Sequence, residues 1–243
     1  MKNAVGRVCE YLLDVFFPQS CLGCEVVVPS ALGFCADCGT KLEQNPCHDL
    51  GELPLYAPYR YCGPLTTAIH RLKYEDRSEY AARLVESSFS SRLPAEFDGA
   101  VLVPVPLHPI RLIERGYNQS GLLAVALAKR WKLRDRHDWL VRQSFVTRQV
   151  GLGREARVEN TKNAFAIEPT APLEGKRIVL VDDVVTTGST VSSCQSVLVA
   201  GGATVVGVVA MARAESRATV HFESSSAVRV RNGAGVASFG VGL

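Results

Sequence analysis

The sequence predicts an α/β protein with a small Cys-rich module at its N-terminus. Three observations predict it. Six of the eight Cys fall within residues 1–50. Apolar runs alternate with amphipathic stretches over residues 51–213. A strand–helix–strand string near the C-terminus reads as a βαβ unit, which sets two parallel strands side by side. Residues 214–243 turn rich in Ser, Gly and Ala and lose any helical period. The chain therefore divides into a helix and Cys module at 1–50, an α/β domain at 51–213 and a tail at 214–243.

Composition narrows the class. Of 243 residues, 47% are hydrophobic and 21% charged, too apolar a mix for a disordered chain. The net charge of +3 gives no general attraction to nucleic acid. Eight Cys in this length are too sparse for a disulfide scaffold, so they read as metal ligands or core thiols of a cytoplasmic protein. The first 18 residues interleave Lys2, Arg7, Glu10 and Asp14 with apolar positions. They read as a short amphipathic helix carrying Val5, Val8, Leu12, Leu13, Val15 and Phe16, and not as a leader. Residues 184–212 carry no charge and are long enough to span a bilayer. Thr186-Thr187-Gly188-Ser189-Thr190 and Gly201-Gly202 break them into loop, helix and strand, and a buried parallel strand is uncharged in any case. No membrane span is expected.

In the α/β region, strands are expected at 55–61, 100–104, 139–141, 164–167, 177–182 and 203–211, and helices at 64–74, 78–92, 118–131 and 189–200. The last helix is the best marked. Ser189 or Thr190 is placed to cap its start, Val191, Cys194, Val197 and Leu198 line one face, and Gly201 stops it. Strand 177–182, this helix and strand 203–211 make the βαβ unit. The tail is compatible with an edge strand at 227–231 or with disorder.

Cys21-x2-Cys24 and Cys35-x2-Cys38 stand ten residues apart. Each pair presents two thiolates from one tight turn, and the two pairs close a tetrahedron around Zn²⁺. A redox pair would stand singly beside a βαβ unit. A four-Cys site has no open position, so the metal is expected to be structural. Gly23 and Gly39 lie in or just after the knuckles, where a turn with positive φ is expected. Cys47-His48 reads as a spare ligand pair or the relic of a second ribbon, and Cys9, Cys62 and Cys194 as core thiols.

The string Arg177-Ile-Val-Leu-Val-Asp182-Asp183-Val-Val-Thr186-Thr187-Gly188-Ser189-Thr190 carries the most chemistry. A strand ends in two carboxylates, a loop of small hydroxyl residues follows, and a helix begins. Helix-start N–H groups and the hydroxyls of Thr186, Thr187, Ser189 and Thr190 suit a phosphate, with Gly188 admitting a close approach. Asp182 and Asp183 suit the vicinal hydroxyls of a sugar. No Gly-Lys-Thr follows, so this is not a Walker loop. Open α/β sheets bind ligands at this carboxyl end of their strands. Val103-Pro104-Val105-Pro106-Leu107-His108 follows another strand, which makes His108, Arg111 and Arg115 anion-ligand candidates, and Arg115 precedes the helix that Asn118 is placed to cap. The stretch 129–157 has nine Lys or Arg against three Asp or Glu. With Gly151 and Gly153 it reads first as a mobile loop whose Arg148, Arg154 and Arg157 close over pyrophosphate. The interleaved Trp131, Trp139 and Phe145 make contact with nucleic acid the second reading.

The acid–acid–Thr–Thr–Gly–Ser–Thr string is similar to the phosphoribosyl pyrophosphate (PRPP) signature of the type I phosphoribosyltransferases. Over about residues 10–213 the chain resembles the ComF family (competence protein F, GntX-like). The resemblance is carried by the two Cys pairs and by Tyr61-Cys-Gly63-Pro-Leu65 followed by Ile69-His-Arg-Leu-Lys73-Tyr74. It is carried also by Val103-Pro104-Val105-Pro106-Leu-His108 with Arg115-Gly116-Tyr117-Asn118-Gln119-Ser120, and by Thr147-Arg-Gln149 with Arg157-Val-Glu-Asn160 and Ala164-Phe165. A second CxxC around Cys47 is missing from the pattern. The resemblance implies a twisted, mostly parallel sheet flanked by helices, PRPP as ligand with Mg²⁺, and transfer of ribose 5-phosphate to a nitrogenous acceptor, with Asp182 and Asp183 at the reacting ribose. It also implies a link to DNA uptake in natural competence or to nucleotide salvage. The rival expectation is a non-enzymatic competence adaptor that binds single-stranded DNA or a helicase-like partner, with PRPP or a nucleotide as regulatory ligand.

Overall fold

The computed structural model describes residues 19–29, 33–143 and 164–214. The N-terminal amphipathic helix, Cys9, the loop arginines Arg148, Arg154 and Arg157, and the tail strand lie outside these residues.

The Cys module consists of an antiparallel hairpin, β1 (Gln19–Ser20) with β2 (Val27–Val28), and a short helix α1 (Ala36–Thr40). The remaining elements in chain order are β3 (Asp49–Leu50), β4 (Leu53–Tyr56), β5 (Tyr59–Arg60), α2 (Gly63–Tyr74), α3 (Tyr80–Ser88), a 3-10 turn at Ala95–Phe97, β6 (Val101–Pro104), α4 (Pro109–Arg115), α5 (Gln119–Trp131), β7 (Arg134–Asp135), β8 (Leu140–Arg142), β9 (Phe165–Ile167), β10 (Arg177–Val185), α6 (Ser189–Ala200) and β11 (Thr204–Arg213). One sheet of seven strands runs β3-β4-β11-β10-β6-β7, with β5 also paired to β11. Every pairing in it is parallel except β3 with β4. This is the mostly parallel sheet that the resemblance implies. β8 and β9 form a separate antiparallel pair.

Both faces of the sheet are covered. Alternate residues of β10 point to opposite faces. Val179 and Val181 pack with α2, α3 and α5, whereas Ile178 and Leu180 pack with α6 and the β8–β9 pair. Leu22, between Cys21 and Cys24, is fully buried in the first of these cores, so the Cys module shares its packing with the α/β body.

Several elements differ from the sequence reading for physical reasons. The expected strand 55–61 splits into β4 and β5 around Ala57-Pro58, because Pro58 has no N–H to give the ladder. The helix expected at 78–92 is confined to α3, and Phe89 is extended. Helix α4 forms where the sequence predicts no helix; it follows two prolines and buries none of its residues. Gly188, at φ +80°, holds the cap position of α6 with no side-chain cap bond, in place of the Ser189 or Thr190 hydroxyl. Asn118 does cap α5, accepting from Ser120 N–H at 3.1 Å.

The most consequential difference concerns β10. It extends to Val185, so Asp182 and Asp183 lie inside the strand and not at its end. β11 accompanies β10 to Val185, but β6 pairs with it only as far as Val181↔Pro104. Val105 N–H still reaches Val181 O at 2.8 Å. Pro106 then ends any ladder, because proline cannot donate. The two acids therefore sit on a stretch of strand with one neighbour missing, facing the loop after β6.

Candidate functional site

The four thiols of the Cys module come together: the Sγ atoms of Cys21, Cys24, Cys35 and Cys38 all lie within 4.8 Å of one another. Cys24 and Cys35 Sγ are 3.7 Å apart, against about 3.8 Å expected for the edge of a tetrahedron with Zn–S of about 2.3 Å. Backbone N–H groups aim at sulfur, Cys35 N to Cys21 Sγ at 3.3 Å and Cys38 N to Cys35 Sγ at 3.4 Å. At Cys21 burial favours the thiol, but backbone donors from Cys35, Cys24 and Gly23 overcome it and pull the group down to about 6. Burial and the neighbouring thiols push Cys38 upward. Four sulfurs this close cannot all ionise unless a cation sits among them, so the set fits a closed zinc site.

Gly23 does not take the expected positive φ; Glu25 does, at +63°. Gly23 is needed for proximity, since a Cβ there would lie 2.8 Å from Pro64 Cβ and 3.0 Å from Cys38 Sγ. Gly39 likewise lacks positive φ and faces open space. Cys47 is not part of a metal cluster among the described residues. Its turn is held instead by buried Asn45, whose Nδ2 donates to Cys47 O at 2.6 Å and to Ala57 O at 3.0 Å. Cys194 is a buried core thiol as expected, whereas Cys62 is half-buried at the start of α2.

The two acids have partners on two helices, α5 and α2. Asp182 Oδ1 accepts from Ser120 Oγ–H at 2.9 Å and from Asp183 N–H at 2.9 Å. Asp182 lines a crevice of about 30 Å³ together with Thr186, Gly188, Ser189 and Thr190 of the following loop. Although the residue keeps some exposed surface, burial of the carboxyl and the charge of Asp183 push it up to about 7. Asp183 is buried and forms an ion pair with the Lys73 ammonium at the end of α2.

The loop hydroxyls Thr186, Thr187, Ser189 and Thr190 are exposed. Thr187 Oγ1 lies 3.3 Å from Ser189 Oγ. Gly188 is buried beneath Leu50 of β3, where a Cβ would fall 2.7 Å from a Leu50 methyl carbon. Leu50 thus fills the space above the Gly188 Cα that the sequence reading had left for phosphate approach. The backbone N–H groups of the α6 start remain beside the hydroxyls.

Arg111 and Arg115 come together with Lys73, Tyr74, Asp76 and Tyr117 around a cavity of about 630 Å³. Arg115 stacks on Tyr74 at 4.6 Å and donates to Gln119 Oε1 at 3.0 Å. His108 is turned toward its own helix, where Nδ1 accepts from Ile110 N–H at 3.3 Å. Lys73 and Ser120 were not singled out as site residues. Both lie in motifs that carry the family resemblance, but only the tertiary fold sets them against the acid pair.

The Asp182 shift makes a testable statement about stability. A carboxyl whose folded value is raised binds its proton longer in the folded than in the unfolded chain, so stability falls as pH rises from about 4, the unfolded value, toward about 7. Denaturant midpoints measured from pH 4 to 8 should fall more steeply for wild type than for Asp182→Asn. Parallel curves would contradict the shift.

Comparison with known proteins fits this geometry. Residues 134–241 match the phosphoribosyl transferase domain model, and residues 12–66 match the double zinc ribbon domain model. The first match runs past Arg213, where the recognised motifs stop. Of the double ribbon's two halves, the described residues hold one cluster of four Cys. The chain is 33% identical over 218 residues to DNA utilization protein YhgH of Salmonella typhimurium, covering 85% of this chain and 95% of that protein. It is 30% identical over 224 residues to competence protein F of Haemophilus influenzae, covering 85% and 95%. Competence protein ComFC of Bacillus subtilis is 34% identical over 139 residues, covering 54% of this chain and 52% of that protein. With its structural zinc cluster and its mostly parallel phosphoribosyltransferase-type sheet, the chain belongs to the family of competence protein F and DNA utilization protein YhgH.

Proposed function

We propose that this protein is a cytoplasmic PRPP-binding protein that transfers ribose 5-phosphate to a nitrogenous acceptor, within the handling of DNA or the salvage of nucleotides. The observation that carries the reading is the adjacent acid pair on the half-paired end of β10, directly followed by a hydroxyl-lined turn and the start of α6. Asp182 and Asp183 accept hydrogen bonds from the ribose hydroxyls. Thr186, Thr187, Ser189, Thr190 and the N–H groups of the α6 start take the 5′-phosphate. Gly188 shapes that turn. The pyrophosphate lies toward the cavity walled by Lys73, Arg111 and Arg115, with Asp76 and Glu114 also on its wall; His108, at the start of α4, is the remaining anion-ligand candidate. Arg148, Arg154 and Arg157 belong to the segment expected to cover it. The acceptor nitrogen bonds to the anomeric carbon as the bond to pyrophosphate breaks, and the acceptor's proton leaves to solvent.

Mg²⁺ fits such a site because it prefers phosphate and carboxylate oxygens, and when bound it neutralises charge on the departing pyrophosphate. Asp182 and Asp183 are the carboxylates at hand. The organisation is a Cys module at 1–50 that buttresses a catalytic body at 51–213, with a tail at 214–243.

A second reading is favoured by the names of the relatives, which speak of competence and DNA utilization. It is an adaptor that keeps PRPP or a nucleotide as a regulatory ligand and binds single-stranded DNA or a helicase-like partner. One experiment separates the two. The protein is incubated with PRPP, Mg²⁺ and a panel of purine and pyrimidine bases, and pyrophosphate is measured. Release that depends on one acceptor and is lost in Asp183→Asn supports the transferase. Bound PRPP with no release under any acceptor, together with single-stranded DNA binding that survives Asp182→Asn and resists salt, supports the adaptor. Contacts through a few phosphates alone would fade steeply between 50 and 200 mM salt.

A further inference from the structure

We propose that Arg71 couples the metal-binding knuckle to the Lys73–Asp183 pair, so that zinc and PRPP each strengthen the binding of the other. The ligand half of this statement rests on the PRPP reading above; the mechanical half does not.

The Arg71 side chain is 14% exposed, and its guanidinium is almost fully engaged. Its Nη1 donates to Leu22 O at 3.3 Å and to Gly23 O at 3.2 Å, the two carbonyls inside the Cys21-Leu-Gly-Cys24 turn. Its Nη2 pairs with Glu25 at 3.0 Å, and its Nε lies 3.6 Å from Glu75 on its own helix. Two neighbouring carbonyls point at one guanidinium only while the turn keeps its wrapped form, and the metal holds that form. Arg71 is therefore a sensor of the knuckle's shape.

The same helix carries Lys73. Two residues of helix rotate a side chain by about 200°, so Arg71 and Lys73 face nearly opposite directions from one rigid rod. Arg71 faces the knuckle and Lys73 faces Asp183. Contacts with the Cys module run along α2. Gly23 closes on Pro64 near its start, Leu22 packs with Leu65, Ile69 and Leu72, and Arg71 clamps its last turns. The other side of those turns is tied to the ligand cavity, where Tyr117 Oη–H donates to Leu72 O at 2.6 Å and Arg115 covers Tyr74. Loosening the knuckle frees the Arg71 end of α2 and lets Lys73 drift from Asp183. Asp183 is buried, so without its ammonium its charge is unpaired and its carboxylate is poorly set for a ribose hydroxyl. Arg71 touches neither metal nor ligand and is a positioning residue.

Binding linkage supplies the test, because a coupling factor must be the same in both directions. Zinc affinity of the full-length protein is measured by competition with a chelator of known strength, with and without saturating PRPP and Mg²⁺. PRPP affinity is measured with and without zinc. Wild type should show the same factor in both, at least about fivefold. In Arg71→Met, still loaded with zinc, both factors should fall to one while PRPP binding itself is weakened, and Arg71→Lys should restore part of the factor. A wild-type factor of one overturns the proposal. So does a factor that survives in Arg71→Met, since coupling through global stability alone would survive there. Amide hydrogen exchange of residues 72–75 provides a readout without PRPP. It should quicken in zinc-loaded Arg71→Met relative to wild type, and unchanged exchange overturns the mechanical link. Wild type that holds zinc but does not bind PRPP sinks the PRPP reading, and the exchange result then decides the link by itself.

Discussion

Cys21→Ser is expected to lose the zinc and to melt more than about 10 °C below wild type, with one zinc per wild-type chain by metal analysis. Structural zinc in small modules contributes roughly 10–16 kcal/mol of apparent binding energy, comparable with the whole stability of a domain at about 5–15 kcal/mol. For a chain of this size each kcal/mol moves the midpoint by about 2–4 °C, so loss of even part of that energy gives a drop of this order. Cys21 is the appropriate thiol because it is fully buried and receives the N–H of Cys35. The sequence alone suggests that the Cys module would unfold by itself and leave the α/β body intact. The structure changes that expectation. Leu22 is buried among α2 residues, and Arg83 Nη2 donates from α3 to Ser20 O at 2.7 Å. Unfolding should therefore remain a single transition at lower temperature. Wild type free of zinc, or a variant that keeps its zinc and its midpoint, would overturn the metal assignment. Two separated transitions would overturn the shared core.

PRPP with Mg²⁺ is expected to raise the wild-type midpoint by about 5–10 °C. At a hundredfold excess over its dissociation constant a ligand adds about 2.7 kcal/mol, and the same 2–4 °C per kcal/mol converts that into the shift. Asp183→Asn should remove most of the rise, because hydrogen bonds to a charged acceptor are worth roughly 1.5–3 kcal/mol. It also leaves the Lys73 ammonium facing a neutral amide. Gly188→Val should abolish the shift and lower the ligand-free midpoint as well. The left-handed backbone at φ +80° strains a branched side chain, and its Cβ would collide with Leu50. Ribose 5-phosphate should compete, carrying the same phosphate and hydroxyls. An unmoved melting curve at millimolar PRPP would leave the sheet and the zinc cluster standing but remove the ligand from the reading.

The local string 177–190 was enough to identify a strand, an acid pair, a turn and a helix, because each of those is encoded by neighbours in sequence: a β-branched run, two carboxylates, a glycine, a helical period. The two CxxC pairs were legible for the same reason, since spacing within one turn decides whether two thiolates can share a metal. What could not be read was anything set by a partner far along the chain. Asp182 and Asp183 lie within β10 because β11 continues beside them to Arg213 while Pro104 and Pro106 stop β6. Gly188 is needed beneath Leu50, a residue of a two-residue strand that no periodicity announces. Gly23 serves a close contact with Pro64 and not a turn angle. Lys73 and Ser120 reach the acids from α2 and α5, and Arg71 turns the same α2 toward the knuckle. Sequence determined which chemistry the chain carries, because side-chain type and short spacing are local. Tertiary structure decided which groups meet, because burying both faces of one sheet brings together residues that no local pattern relates.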